Sequence, residues 1–164
     1  MLTYGAVAGA IVAAMIAISF SITGLNVKYG ELIGYSTMIL AFSTIFSAVK
    51  SYRDKHLGGK ITFGKALKIG LGITVVASII YVIAWVIISD TIAKDFMLEY
   101  YQHSVDQLKQ SNLSEAEIKA KIKEMEYFQE LYKNPLVKIG ITFLEIFPVG
   151  SIISFIAAFI LKRK

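Results

Sequence analysis

Long stretches without a charged side chain dominate this sequence and restrict what it can fold into. No charged residue occurs in residues 1–27, 32–49 and 69–89. In a fourth apolar stretch, from about residue 139 to 161, Glu145 is the only charged residue. A helix of about 20 apolar residues crosses the hydrocarbon core of a bilayer. Together with a hydrophobic content of 55%, these stretches predict an integral membrane protein rather than a soluble globular domain.

The predicted architecture is all-α, with a single membrane domain over residues 1–164. It is an integral membrane four-helix bundle with an extramembrane helical hairpin between its third and fourth helices. The predicted transmembrane spans are about residues 4–23, 32–49, 67–89 and 137–161. A secretory signal peptide is the alternative for the first span, but no basic residue precedes its long apolar run. We therefore expect the first span to be retained.

The segment at about 91–133 is too polar to span a bilayer, and its apolar residues recur at helical spacing. We predict two amphipathic helices, with a capping box of Ser114 and Glu117 at the start of the second and a stop at Asn134-Pro135. Their apolar stripes either pair with each other or form a groove for a protein partner. The candidate partner-binding residues are the aromatic side chains Tyr100, Tyr101, Tyr127 and Phe128.

Charge in the connecting segments predicts the orientation of the chain. Residues 50–68 hold six Lys or Arg against one acid, Asp54, and the chain ends in three more basic residues. Because basic residues concentrate on the cytoplasmic side, both termini of this multi-pass protein should be cytoplasmic. The net charge of +5 then indicates contact with anionic lipid rather than with nucleic acid. The candidate headgroup contacts are Lys50, Arg53, Lys55 and Lys60.

Several kinds of chemistry lack the residues that they need. The chain has no cysteine, which excludes disulfides and thiolate ligands. The predicted topology places His56 and His103 on opposite sides of the membrane, so they cannot share a metal ion. The glycine pair of the basic loop lacks the spacing of a nucleotide-binding motif. We expect a non-enzymatic protein with no metal and no cofactor.

Glu145 is the most unusual residue within the predicted spans. A charged carboxylate at mid-membrane costs about 2.5 to 3.5 kcal/mol on insertion scales, so it needs compensation. Pro148 follows three residues later and cannot donate a backbone hydrogen bond. Glu145 is either a proton or cation site or a neutral carboxylic acid that holds helices together by hydrogen bonds. The residues predicted near its depth are Tyr35, Ser36, Tyr81 and Trp85.

Gly5 and Gly9 form a GxxxG pair in the first span. Such a pair lets a second helix approach closely. The pair predicts helix packing either within the bundle or between two copies of the chain.

The sequence resembles a family of uncharacterised membrane proteins from Bacteroidota that is known only as a domain of unknown function. The resemblance extends over nearly the whole chain and implies a four-helix inner-membrane protein, with no established activity. It is carried by residues 31–38, 50–54, 59–66, 132–135 and 142–150.

Two hypotheses of function remain. The first is a non-enzymatic accessory or scaffold subunit that engages a partner through its extracytoplasmic helical arm. The expected partner is another protein or, in a homo-oligomer, further copies of the chain. The alternative is a small oligomeric transporter or ion-coupled carrier that uses Glu145 as its protonatable site.

Overall fold

The computed structural model describes residues 1–23 and 27–163, and the side chains of residues 1–18 and 32–163. Every regular element in these ranges is an α-helix, which confirms the all-α prediction. The only β-bridge in these ranges is an isolated antiparallel one between Ile61 and Arg163. The helices are α1 (Leu2–Thr23), α2 (Val27–Phe42), α3 (Thr44–His56), α4 (Phe63–Thr91), α5 (Phe96–Lys109), α6 (Glu115–Tyr132) and α7 (Pro135–Leu161).

Three helical stretches of the described chain are long and apolar enough to cross a membrane: Leu32–His56, Phe63–Thr91 and Pro135–Leu161. They match the second, third and fourth predicted spans and extend each of them by a few residues. The first predicted span, 4–23, reaches beyond the described side chains. Its described apolar part, Leu2–Ile18, is shorter than a span, so a fourth crossing stays a prediction.

The second of the predicted spans is interrupted where α2 gives way to α3. Ser43 Oγ donates to the carbonyl of Leu40 at 2.6 Å, and Thr44 Oγ1 donates to the carbonyl of Ala41 at 2.7 Å. Hydroxyl groups that bond to the backbone of the preceding turn compete with the helical pattern and bend helices. Two adjacent hydroxyl residues therefore mark this interruption.

Helix α4 is central, and α7 runs antiparallel along one side of it. A Cβ atom added at Gly150 would lie 2.5 Å from Thr74 Cγ2, and one added at Gly70 would lie 2.8 Å from Ser154 Cβ. The backbones of α4 and α7 are therefore as close as their smallest residues allow. The buried core, which includes Phe42, surrounds this contact.

Helix α1 lies against another face of α4 and runs parallel to it. A Cβ atom at Gly5 would lie 2.6 Å from Val76 Cβ, and one at Gly9 would lie 2.8 Å from Ile80 Cβ. Both glycines of the predicted packing pair thus contact α4 of the same chain.

The polar segment forms α5 and α6, which we call the arm. The predicted capping box is present: Ser114 Oγ accepts from the backbone N–H of Glu117, and the Glu117 carboxylate accepts from the backbone N–H of Ser114. Helix α6 ends at Tyr132, as the Asn134-Pro135 signal predicts. The Asn134 side chain then caps α7 by accepting from the backbone N–H of Leu136 at 2.9 Å.

Candidate partner-binding site

A groove of about 500 Å³ separates the two arm helices. No residue of α5 is buried, so the arm helices leave much of their apolar surface unburied. The groove walls carry six apolar or aromatic residues and five polar ones. They are Met97, Tyr100, Tyr101, Leu108, Met125 and Phe128, with Ser104, Gln107, Lys121, Glu124 and Gln129.

The four aromatic residues predicted to bind a partner divide between two surfaces. Tyr100, Tyr101 and Phe128 line the groove. Tyr127 is not among the lining residues and is 67% exposed. The helical period explains this division, because consecutive residues of a helix point about 100° apart.

One hydrogen bond crosses between the arm helices beside the groove. Tyr101 Oη donates to Glu126 Oε1 at 3.2 Å. Desolvation of the hydroxyl group, followed by the influence of the Glu126 carboxylate, raises the pKa of Tyr101. The phenol therefore stays a hydrogen-bond donor at neutral pH.

The arm joins the apolar helices at a cluster that we call the arm root. Trp85 Nε1 donates to the hydroxyl group of Tyr132 at 2.6 Å, and both side chains are buried. The Phe96 ring meets the indole edge to face, with ring centroids 5.3 Å apart. Trp85 of α4 therefore contacts the first residue of α5 and the last residue of α6.

Charged groups reinforce the arm root. Lys138 Nζ of α7 lies 2.8 Å from Asp90 Oδ1 and 3.1 Å from Ser89 Oγ of α4, and it is 5.9 Å from the centre of the Tyr132 ring. The Lys138 side chain is 17% exposed. Only the lysine of this pair is shielded from water, because the Asp90 side chain is 64% exposed.

The intramembrane polar residues are only partly brought together. Tyr81 of α4 is buried, and its hydroxyl group lies near the carboxyl group of Glu145 on α7, which is exposed. Trp85 lies one turn further along α4 and donates a hydrogen bond to Tyr132. Tyr35 is an exposed residue near Tyr81. Ser36 and Pro148 are also exposed, and α7 continues as a helix through Pro148.

A second polar layer lies deeper between α4 and α7, and the sequence analysis missed it. Thr74 Oγ1 and Ser154 Oγ lie 3.1 Å apart, and each also bonds to the carbonyl of a glycine one turn earlier. The signal was present as Gly70 followed by Thr74 and Gly150 followed by Ser154. Small residues at a four-residue spacing mark a close helix contact.

A family model described as "Protein of unknown function (DUF4199)" matches residues 3–163. The chain belongs to the DUF4199 family. This membership confirms the resemblance to a family of unknown function. No curated protein and no solved structure matches the chain.

The basic end of this DUF4199 chain lies far along α4 from the arm root. Lys50, Lys55 and Lys60 are exposed. Arg53 is 8% exposed; its guanidinium makes two bonds to the Asp54 carboxylate, at 2.7 and 3.2 Å, and donates to the carbonyl of Leu161 at 3.3 Å. Unlike the three lysines, Arg53 therefore fastens the end of α7 to α3.

The bridge between Ile61 and Arg163 adds two backbone hydrogen bonds of 2.9 Å to this junction. The basic loop after α3 and the basic C-terminal segment therefore lie side by side. Within the described ranges, no group of three or more His, Asp or Glu residues is placed to hold a metal ion.

Proposed function

We propose that the protein is a non-enzymatic accessory or scaffold subunit of the bacterial inner membrane. Its arm would engage a protein partner through the groove between α5 and α6. In the proposed topology four helices cross the membrane, both termini are cytoplasmic, the arm is extracytoplasmic, and the exposed lysines Lys50, Lys55 and Lys60 contact anionic headgroups. The observation that carries the proposal is the arm groove, because its aromatic and methionine side chains are only partly covered by the arm itself.

The arm root supports this proposal. Trp85, Tyr132 and Phe96 hold both ends of the arm against α4, while the groove residues further out remain accessible. A surface for partner binding gains affinity when its supporting elements are ordered before the partner arrives. The arm is held in place at its base, and its groove is accessible to a partner, as this form of binding requires.

The position of the basic residues supports the topology. The loop after α3 and the C-terminal segment are adjacent and hold nearly all of the excess positive charge. Because the chain has no cysteine, single substitutions Lys60→Cys and Lys119→Cys allow labelling with a membrane-impermeant maleimide in intact spheroplasts. We expect Lys119→Cys to react and Lys60→Cys to react only after lysis. Reaction of both from the outside would refute the topology.

The partner hypothesis is tested by placing a photo-crosslinking amino acid at Phe128 and, as a matched control, at Tyr127. The adjacent positions have the same depth along α6, but only Phe128 lines the groove. We expect a specific protein adduct from position 128 in native cells, and its loss when Tyr101 is changed to Ala. Equal adducts from both positions, or none from 128, would contradict a groove-bound partner.

The proximity of Tyr81 to Glu145 favours one alternative function, a small oligomeric transporter or ion-coupled carrier. A buried phenol beside an intramembrane carboxyl group is an arrangement that proton-coupled carriers use. Glu145→Gln keeps hydrogen bonding and removes titration. If proton flux into proteoliposomes is observed and is lost in Glu145→Gln but kept in Tyr35→Phe, the carrier hypothesis replaces the scaffold hypothesis.

A further inference from the structure

We propose that the occupant of the arm groove is a basic amphipathic helix of a partner protein. This inference rests on the proposed function and specifies the partner's chemistry. It follows from the charge of the arm, the composition of the groove walls and the dimensions of the two helices.

The arm is acidic although the chain is basic. Helices α5 and α6 contain seven Asp or Glu residues and four Lys residues, whereas the whole chain has a net charge of +5. The arm helices therefore have a net charge of −3. Complementary charge guides encounter and suppresses unsuitable partners, so this surface favours a cationic segment.

Part of this negative charge is available for a partner. On α6, Glu115 pairs with Lys119, and Glu130 pairs with Lys133. Among the residues that the structure describes, Glu99, Asp106 and Glu124 form no ion pair, and Glu124 lines the groove. A lysine or arginine at the edge of a bound helix could pair with the Glu124 carboxylate there.

The groove walls suit the apolar face of a helix. Met97 and Met125 are flexible side chains that adapt to different neighbours, and Tyr100, Tyr101 and Phe128 provide a large aromatic surface. Grooves of this composition between two helices recognise amphipathic helices through apolar residues at helical spacing. Helix α6 has 18 residues and is about 27 Å long, which is enough to accommodate several turns of a partner.

Charge argues against two other occupants. A second copy of the arm would bring another net charge of −3 against the first, which is unfavourable. Anionic headgroups would be repelled for the same reason. A basic protein segment is attracted by the net charge of the arm, and within the groove it meets one lysine, Lys121, beside Glu124.

A binding experiment with the full-length protein in nanodiscs of zwitterionic lipid tests this inference. The probe is a fluorescent peptide of Leu and Lys, about 18 residues long to match α6, with Leu at helical spacing; the comparison peptide has Glu in place of Lys. Binding is followed by fluorescence anisotropy, with empty nanodiscs subtracted. We expect the Lys peptide to bind, the Glu peptide to bind at least about tenfold more weakly, and affinity to fall as salt rises.

Two variants and one control locate the binding. Phe128→Ala should weaken binding about tenfold or more, as loss of an aromatic anchor does, and Tyr127→Ala should leave it unchanged. Glu124→Lys keeps the apolar walls and reverses one charge, so it should weaken binding even if Phe128→Ala disturbs the arm. Equal binding of both peptides, or no effect of Phe128→Ala and Glu124→Lys, would overturn the inference.

The outcome separates this inference from the proposed function. If position 128 crosslinks a protein in cells but the Lys peptide does not bind, the groove still has a partner and the basic-helix inference is wrong. If neither result is obtained, both the inference and the proposed function fail.

Discussion

Helices α4 and α7 and helices α5 and α6 are two neighbouring pairs that contact each other in different ways. Between α4 and α7, glycines and hydroxyl residues bring the backbones together, and Thr74 and Ser154 are fully buried. Between α5 and α6, large side chains line an open groove. The small residues between α4 and α7 are buried without any other molecule. The large, half-exposed residues between α5 and α6 leave apolar surface that another molecule can cover.

The largest loss of stability should come from a side chain added between α4 and α7, where the two backbones are in close contact. In Gly150→Ala the new Cβ would lie 2.5 Å from Thr74 Cγ2 and 2.7 Å from Phe42 Cζ. Both neighbours are fully buried, so they cannot move aside freely, and we expect a loss of about 2 kcal/mol in the free energy of unfolding. Thermal unfolding or denaturant titration in mild detergent measures this loss.

Gly140→Ala is the matched control on the same helix. No atom lies within 4 Å of a Cβ at that position, and alanine is favoured over glycine in a helix by up to about 1 kcal/mol. We expect unchanged or slightly raised stability. A similar loss in both variants would show that the close contact is not what makes Gly150 sensitive.

The second-largest loss of stability should come from a substitution at the arm root. Tyr132→Phe keeps the ring and removes the acceptor of the Trp85 Nε1 hydrogen bond. A buried hydrogen bond contributes about 0.5 to 1.5 kcal/mol to the free energy of unfolding, and we expect a loss in this range. Hydrogen exchange should accelerate at residues 93–96 and 132–138. Tyr127→Phe, at an exposed site, should change neither property; equal effects from both would disprove the root's role.

A smaller effect concerns the start of α6 and depends on pH. The hydroxyl and backbone N–H groups of Ser114 bond to the Glu117 carboxylate and lower the pKa of Glu117. Because the folded pKa lies below the unfolded value of about 4.3, this stabilisation is present above that pH and is lost as pH falls through the folded pKa.

The protection factors for amide exchange at residues 114–118, which compare each observed rate with the intrinsic rate at the same pH, should therefore be high at neutral pH and fall below about pH 4. Ser114→Ala should exchange faster at neutral pH and lose most of this pH dependence, because its cap is already incomplete. If Ser114→Ala retained the full pH dependence, the capping box would not be its source.

Sequence patterns predicted the local features of both regions, but not the contacts between distant residues. The uncharged runs predicted the long helices, and the Ser114–Glu117 spacing predicted the capping box, because each depends on neighbours within a few turns. The Trp85–Tyr132 bond joins residues 47 positions apart, and the burial of Arg53 depends on the end of α7. Such pairings arise only when whole helices pack, so the aromatic and charged residues alone did not reveal them.

The smallest loss of stability should follow a substitution within the groove. This substitution tests most directly whether the two helix pairs differ. Phe128 is 41% exposed and contacts mainly the arm, so Phe128→Ala should change the unfolding free energy of the isolated protein by less than about 1 kcal/mol. The same substitution should strongly reduce partner binding, since a large side chain that does little for folding is free to contribute to recognition. A loss of stability as large as that of Gly150→Ala would instead make the α5–α6 contact structural, and the distinction between the two helix pairs would not hold.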